Sequence, residues 1–99
     1  MNLPEIDMGE GNASFVLGSG PVAVLLIHGL TGTPTELRRV AQGLAKRGYT
    51  VYVPTLAGHC GDNADLQATG WKDWYESARK AFVGIRQRHA QVFVGGLSM

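Results

Sequence analysis

Two clusters of residues in this 99-residue chain have the types and spacing that acyl-transfer chemistry asks for. The first is Gly95-Gly96-Leu97-Ser98-Met99, which follows the strand-like Val92-Phe93-Val94. It reads as the G-x-S-x of a nucleophile elbow. A serine on a sharp strand-to-helix turn sits in a strained backbone, so the residues two before and two after it must be small. Gly96 meets the first demand, and the second falls past Met99. Taken alone, a Gly-x-Ser more often marks an ordinary loop or cap residue. A second cluster upstream singles it out: His28-Gly29-Leu30-Thr31-Gly32, at the end of an apolar run over 22–27. A developing oxyanion needs donors fixed in advance, and a glycine-rich strand-to-loop corner can aim a backbone N–H without side-chain obstruction.

The elements that must position these clusters alternate between strand and helix. A short strand over 14–17, bracketed by glycines, is predicted at an antiparallel edge of the sheet. The run over 22–27 is continuously apolar, as a parallel strand covered on both faces should be. Thr33-Pro34-Thr35-Glu36 has the form of a capping box with Pro at the first helical position, so a helix is predicted from Pro34. Leu37, Val40, Ala41, Leu44 and Ala45 share one face of it, and Gly48 can supply its left-handed stop. Residues 50–54 form the next strand, closed by Pro54, and a long loop is expected over 55–70. From Trp71, the positions Trp71, Trp74, Tyr75, Ala78, Ala81, Phe82 and Ile85 repeat at three and four. That is an amphipathic helix whose aromatic cluster is expected to pack against the sheet. Residues 91–95 close as a third parallel strand. Strand, helix, strand, helix, strand implies two right-handed crossovers. The fold class is α/β, without repeats or linkers.

Composition narrows the function classes. The formal net charge is +1 with basic residues dispersed, so no nucleic-acid partner is indicated. The single Cys60 cannot form an internal disulfide, and residues 1–7 lack the pattern of a signal peptide, which makes a cytoplasmic location the expectation. The longest aliphatic run is far short of the roughly 20 residues that cross a bilayer, so no stable membrane insertion is expected. Folds of this α/β type commonly need about 200 to 250 residues, which predicts that positions 1–99 are a single incomplete domain, an amino-terminal fragment.

The chain resembles the alpha/beta-hydrolase superfamily, and within it the bacterial carboxylesterase and monoacylglycerol-lipase-like branch. The resemblance rests on Leu26-Ile27-His28-Gly29-Leu30-Thr31-Gly32, on Gly48-Tyr49 before a strand ending at Pro54, on Leu56-Ala57-Gly58-His59, on Trp71-Lys72-Asp73-Trp74 and on Gly95-Gly96-Leu97-Ser98-Met99. It implies a sheet whose 22–27 strand lies between the other two parallel strands, with helices on opposite faces. Both clusters then meet at the crevice outside the carboxyl ends of the strands. It further implies Ser98 as the nucleophile on a carboxylic ester, with the backbone N–H groups of Met99 and Leu30 as oxyanion donors. Gly29, Gly32 and Gly96 would let the backbone bend, and His28 would brace the loop. The implied substrate is a small-molecule ester or monoacylglycerol-like lipid, with no cofactor.

The chain departs from that pattern in one respect. A serine hydroxyl needs a general base, and the superfamily's acid and histidine follow the serine in chain order. Of the histidines present, His28 and His59 precede it in loops and His89 sits at a helix end, all poor substitutes. Asp62, Asp65 and Asp73 read as loop, cap and surface residues. Cys60 stands where the branch often has glycine, and reads as an inert thiol. His28, His59 and Cys60 lack metal-ligand spacing. The competing reading is a non-catalytic, nucleotide-binding-like α/β module. Against it, Gly29-Leu30-Thr31-Gly32 has neither the full G-x-G-x-x-G nor a phosphate-loop lysine.

Overall fold

A computed structural model describes residues 5–11, 13–29, 32–59 and 63–96. At its centre is β2, Ala23–Ile27, buried along nearly its whole length. Parallel neighbours flank it: β3, Thr50–Val53, on one side and β4, Val92–Gly96, on the other. The short β1, Phe15–Leu17, adds to β3 antiparallel, giving the order β1-β3-β2-β4. This is the arrangement the resemblance implies, with an antiparallel edge strand beyond β3.

Alternation along the strands decides which helix each face receives. Val24, Leu26, Val51 and Val53 face one side, where they pack with Leu37 and Ala41. Ala41 belongs to α1, Arg38–Lys46, and Leu37 closes the 3₁₀ turn Pro34–Leu37 that leads into it. Ala23, Leu25 and Tyr52 face the other side and pack with Ala81 and Ile85 of α3, Trp71–Arg86. The two crossovers therefore cover opposite faces.

The start of the first helix differs from the prediction. Pro34 begins a 3₁₀ turn, and regular α-helix begins only at Arg38. Half of the capping box forms: Thr33 N–H donates to Glu36 Oε1 at 2.9 Å. The return bond from Glu36 N–H goes to the Thr33 carbonyl at 3.2 Å, not to its hydroxyl. An i to i+3 backbone bond of that kind tightens the first turn into 3₁₀ geometry. At the far end Gly48, with φ of 98°, supplies the left-handed stop.

Two further expectations need correction. The 55–70 stretch is not wholly loop, because it contains a short helix, α2, Asn63–Gln67. The aromatic stripe of α3 is also not uniformly core. Trp71 and Tyr75 are 67% and 63% exposed, while Ala81 and Ile85 are fully buried. Sixteen residues of helix run about 24 Å, and five residues of strand about 17 Å, so the first turns of α3 reach the loop after β3, while Tyr75 still borders Ile27 and Val94 at the uncovered β4 side. On that loop Ala57 N–H donates to Ser77 Oγ at 3.0 Å, and Trp74 meets the His59 ring edge-on.

The amino end of the sheet is fastened by polar groups. His89 Nδ1 donates to the Pro21 carbonyl at 2.8 Å, and the Tyr52 hydroxyl donates to His89 Nε2 at 2.8 Å. Burial pushes the Tyr52 phenol above its ordinary range, which keeps it a donor. On the β4 side, Phe93 and Val94 are more than half exposed, and a shallow apolar groove of about 210 Å³ runs between Val94, Phe82 and Tyr75.

Replacing Ile85 by Ala removes a fully buried side chain between α3 and the sheet and should cost about 2 to 5 kcal/mol. Val83→Ala, at a 43% exposed position on the same helix, should cost under about 1 kcal/mol. Urea unfolding of the two variants measures the difference.

Candidate active site

The register of one strand pair sets the site. β2 and β4 run parallel with Ala23 opposite Val92 and Ile27 opposite Gly96. Paired strands lie about 4.8 Å apart, so His28 and Gly29 leave β2 at the edge where the chain passes Gly96. At this edge β2 connects onward to β3 on one side while β4 lies on the other, which makes it a topological switch point. The two sequence clusters thus meet there in their described parts. Ser98, Met99, Leu30 and Thr31 lie outside the described residues, as do Cys60 and Asp62.

His28 is 2% exposed and spends both ring nitrogens on backbone. Leu56 N–H donates to Nε2 at 3.1 Å, which leaves Nδ1 to carry the proton and donate to the Gly29 carbonyl at 2.9 Å. Burial holds the imidazole below its ordinary 6.5, and the nearby His59 adds to this. The bond to the Gly29 carbonyl and the Glu36 carboxylate oppose the shift without reversing it. A neutral ring is what the geometry requires, because a second ring proton would face the Leu56 N–H. His28 therefore ties the β2 exit to the β3 exit.

The Gly29 carbonyl accepts a second bond, from Gly32 N–H at 2.9 Å. Gly32 is buried, and a Cβ there would lie 2.7 Å from Glu36 Oε1 and 3.0 Å from the Gly29 carbonyl oxygen. A side chain at this position would have to push the carboxylate aside and press on the Gly29 oxygen, and no unusual φ is involved. At Gly96 the nearest atom to a Cβ would be the Ile27 carbonyl oxygen at 3.6 Å, an ordinary contact.

The remaining titratable groups are arranged as follows. His59 is buried against His28, with ring centroids 4.7 Å apart, and its Nδ1 lies 3.0 Å from the Ala57 carbonyl. His89 is at the opposite end of the sheet, beside Pro21. Asp73 caps α3, accepting Gly70 N–H at 2.8 Å. Among the described residues no group of His, Cys, Asp and Glu side chains could hold a metal ion. A cleft of about 720 Å³ opens between the 7–13 segment, Thr55 to His59 and the first half of α3. The Thr55 hydroxyl, fully buried at its edge, has no hydrogen-bond partner among the described residues. Sequence reasoning missed two participants, the Leu56 amide and the Glu36 carboxylate. Only the capping pattern pointed to Glu36, and Leu56 was flagged only as the first residue of the Leu56-Ala57-Gly58-His59 motif, with no role for its amide.

No protein-family model matches the chain. It is 44% identical over 90 residues to a thermostable monoacylglycerol lipase of Bacillus sp. (strain H-257), a match spanning 91% of this chain and 36% of that protein. It is 31% identical over 86 residues to a carboxylesterase of Bacillus subtilis (strain 168), spanning 86% of the chain and 35% of the relative. A solved structure reported with the metagenome-derived lipolytic enzymes LipS and LipT superposes with a TM-score of 0.81 at 35% identity. That match covers 87% of this chain and 35% of the other. The chain thus spans about a third of the length of the proteins it is similar to.

Removal of the His28 ring leaves the buried Leu56 N–H without its acceptor, so His28→Ala should cost about 1 to 3 kcal/mol. The wild-type contribution should also depend on pH. Folded His28 titrates below 6.5, so the unfolded chain takes up that proton first as pH falls. The contribution is whole above about 6.5 and drains away as pH drops toward the folded value. Chemical denaturation at pH 7.5 and at pH 5 should show a loss of stability on acidification that is smaller in the variant.

Proposed function

Because the chain belongs to the carboxylesterase-like alpha/beta hydrolases, we propose that it is the amino-terminal part of a serine hydrolase that cleaves carboxylic esters through an acyl-enzyme. Ser98 is the nucleophile. Its hydroxyl attacks the ester carbonyl, its proton passes to a general base, and the carbonyl oxygen becomes an oxyanion. The N–H groups of Leu30 and Met99 receive that oxyanion, which collapses to the Ser98 ester as the alcohol leaves. Water then repeats the sequence on the acyl-enzyme and frees the acid.

The observation that carries this reading is the bonding of the Gly29 carbonyl. A peptide unit is planar, and in the trans form its N–H points away from its carbonyl. Two donors, His28 Nδ1 and Gly32 N–H, hold the Gly29 oxygen. Those two bonds restrain the Gly29 side of the turn, next to the residue whose N–H is assigned here to the oxyanion. The register of Ile27 with Gly96 supports the same reading, since it starts both segments from one edge.

The base and acid of the triad are assigned to polypeptide beyond position 99. His28 has both ring nitrogens engaged, and His89 is engaged at the far end of the strands. His59 is packed between His28 and Trp74, tilted against the first ring and edge-on to the second. The monoacylglycerol lipase and the carboxylesterase among the relatives favour small esters, monoacylglycerols included, as substrates.

The coding sequence should continue after Met99 with a codon for Gly or Ala, then encode an Asp and later a His. A stop codon there in an intact genome contradicts the reading. The purified 99-residue chain should hydrolyse p-nitrophenyl butyrate no faster than its Ser98→Ala variant. Fast labelling of Ser98 by a fluorophosphonate in the isolated chain would show that it carries its own base.

A further inference from the structure

The basic residues come mostly in pairs along the sequence, and the fold sets two of those pairs on one helix. Arg38, Arg39 and Lys46 stand exposed on α1, and Arg47 stands exposed at its carboxyl cap. The 34–48 stretch that holds these four cations has one carboxylate, Glu36, which is engaged with Thr33 N–H. The whole chain, by contrast, is nearly neutral at a formal +1. At about 100° per residue Arg39 and Lys46 fall within roughly 20° of one another and about 10 Å apart along the axis, on the side of α1 away from the buried Ala41. Gln42 and Gly43 lie exposed between them, and Val40, 53% exposed, flanks Arg39.

Stability of the fold does not account for all four. The helix dipole favours cations at its carboxyl end, which covers Lys46 and Arg47. Arg38 lies over the Phe15 ring, 4.2 Å from its centroid. Arg39 stands at the end the dipole disfavours, and among the described residues the one ion pair is Arg79 with Glu76 on α3. We propose that the outer face of α1 is a docking surface for an anionic lipid bilayer, its cations reaching the headgroup phosphates and Val40 supplying an apolar contact beside them. Charge complementarity is the attraction: a basic amphipathic helix lies in the plane of such an interface, and each cation near the surface adds to its hold. Nucleic acid fits this face less well, since duplex binders commonly spend cations on about six to ten phosphates, whereas α1 offers four and has no aromatic residue on which a base could stack. Docking needs no span, and no helix among the described residues is long and apolar enough to make one. The geometry stands without the serine-hydrolase reading, to which a lipid-borne ester would give it a use.

Co-sedimentation of the 99-residue chain with large vesicles tests this. Phosphatidylcholine vesicles containing about 30% phosphatidylglycerol should carry the chain down at about 50 mM salt, and about 500 mM salt should release it. Pure phosphatidylcholine vesicles should leave it in solution. Arg39→Gln combined with Lys46→Gln should weaken capture by about twentyfold or more. Lys72→Gln combined with Lys80→Gln removes the same charge from α3 and should leave capture within about twofold of wild type. All four positions are exposed, so both double variants should keep the wild-type circular dichroism. The proposal is overturned by an absence of capture, by equal capture on neutral vesicles, or by equal losses in the two double variants. Tighter binding to a DNA duplex of about 20 base pairs than to the anionic vesicles overturns it as well. No readout involves ester hydrolysis, so failure of the hydrolase reading and failure of the docking surface are separate results.

Discussion

The pairing of β2 with β4 is the constraint on which the rest depends. A parallel ladder fixes which residues lie side by side, and a slip of one residue would turn every side chain of β4 to the wrong face. With Ile27 set against Gly96, the glycine-rich turn and the serine segment leave the sheet from adjoining positions. The ladder is secured by α3, whose Ala81 and Ile85 pack on Ala23 and Leu25, the residues opposite Val92 and Val94. Packing at the helix's far end thus sets the geometry at the strands' carboxyl edge.

Burial does a second task at His28. In water an imidazole would be shared between its charged and neutral forms near neutrality, and its tautomers would exchange. Inside the fold, the loss of solvent favours the neutral ring, and the Leu56 amide and Gly29 carbonyl select a single tautomer. A group often used for its proton is here used for its shape and its two opposed hydrogen-bonding edges. The exits of β2 and β3 are joined by side chain, not by backbone ladder.

Much of the architecture was legible because its signals are local. A continuous apolar run, a proline at the end of a strand, a glycine with positive φ after a helix and a three-four repeat each report on their own few residues. What the sequence did not reveal was relational. Trp71 and Tyr75 have the spacing of core residues, yet α3 is longer than the sheet is deep, and length comparison across elements is not written in periodicity. The short helix at Asn63–Gln67 is too brief to show a period at all. The capping box at Thr33 was readable as residues, whereas the 3₁₀ turn it produces depends on which oxygen Glu36 N–H selects. At the site, Gly29 and Gly32 were legible as permissive backbone. That a carboxylate lies against Gly32 was not, since Glu36 had already been explained by its cap.

The Tyr52, His89 and Pro21 hydrogen bonds stand at the amino ends of the strands, and the glycine turns at the carboxyl ends. Anchorage and the proposed reactivity are therefore parted by the depth of one sheet. Evolution can retune thermal tolerance at the first edge without disturbing chemistry at the second, and can exchange loops at the second without loosening the first. Such a division lets a single scaffold be inherited by descendants with unlike appetites.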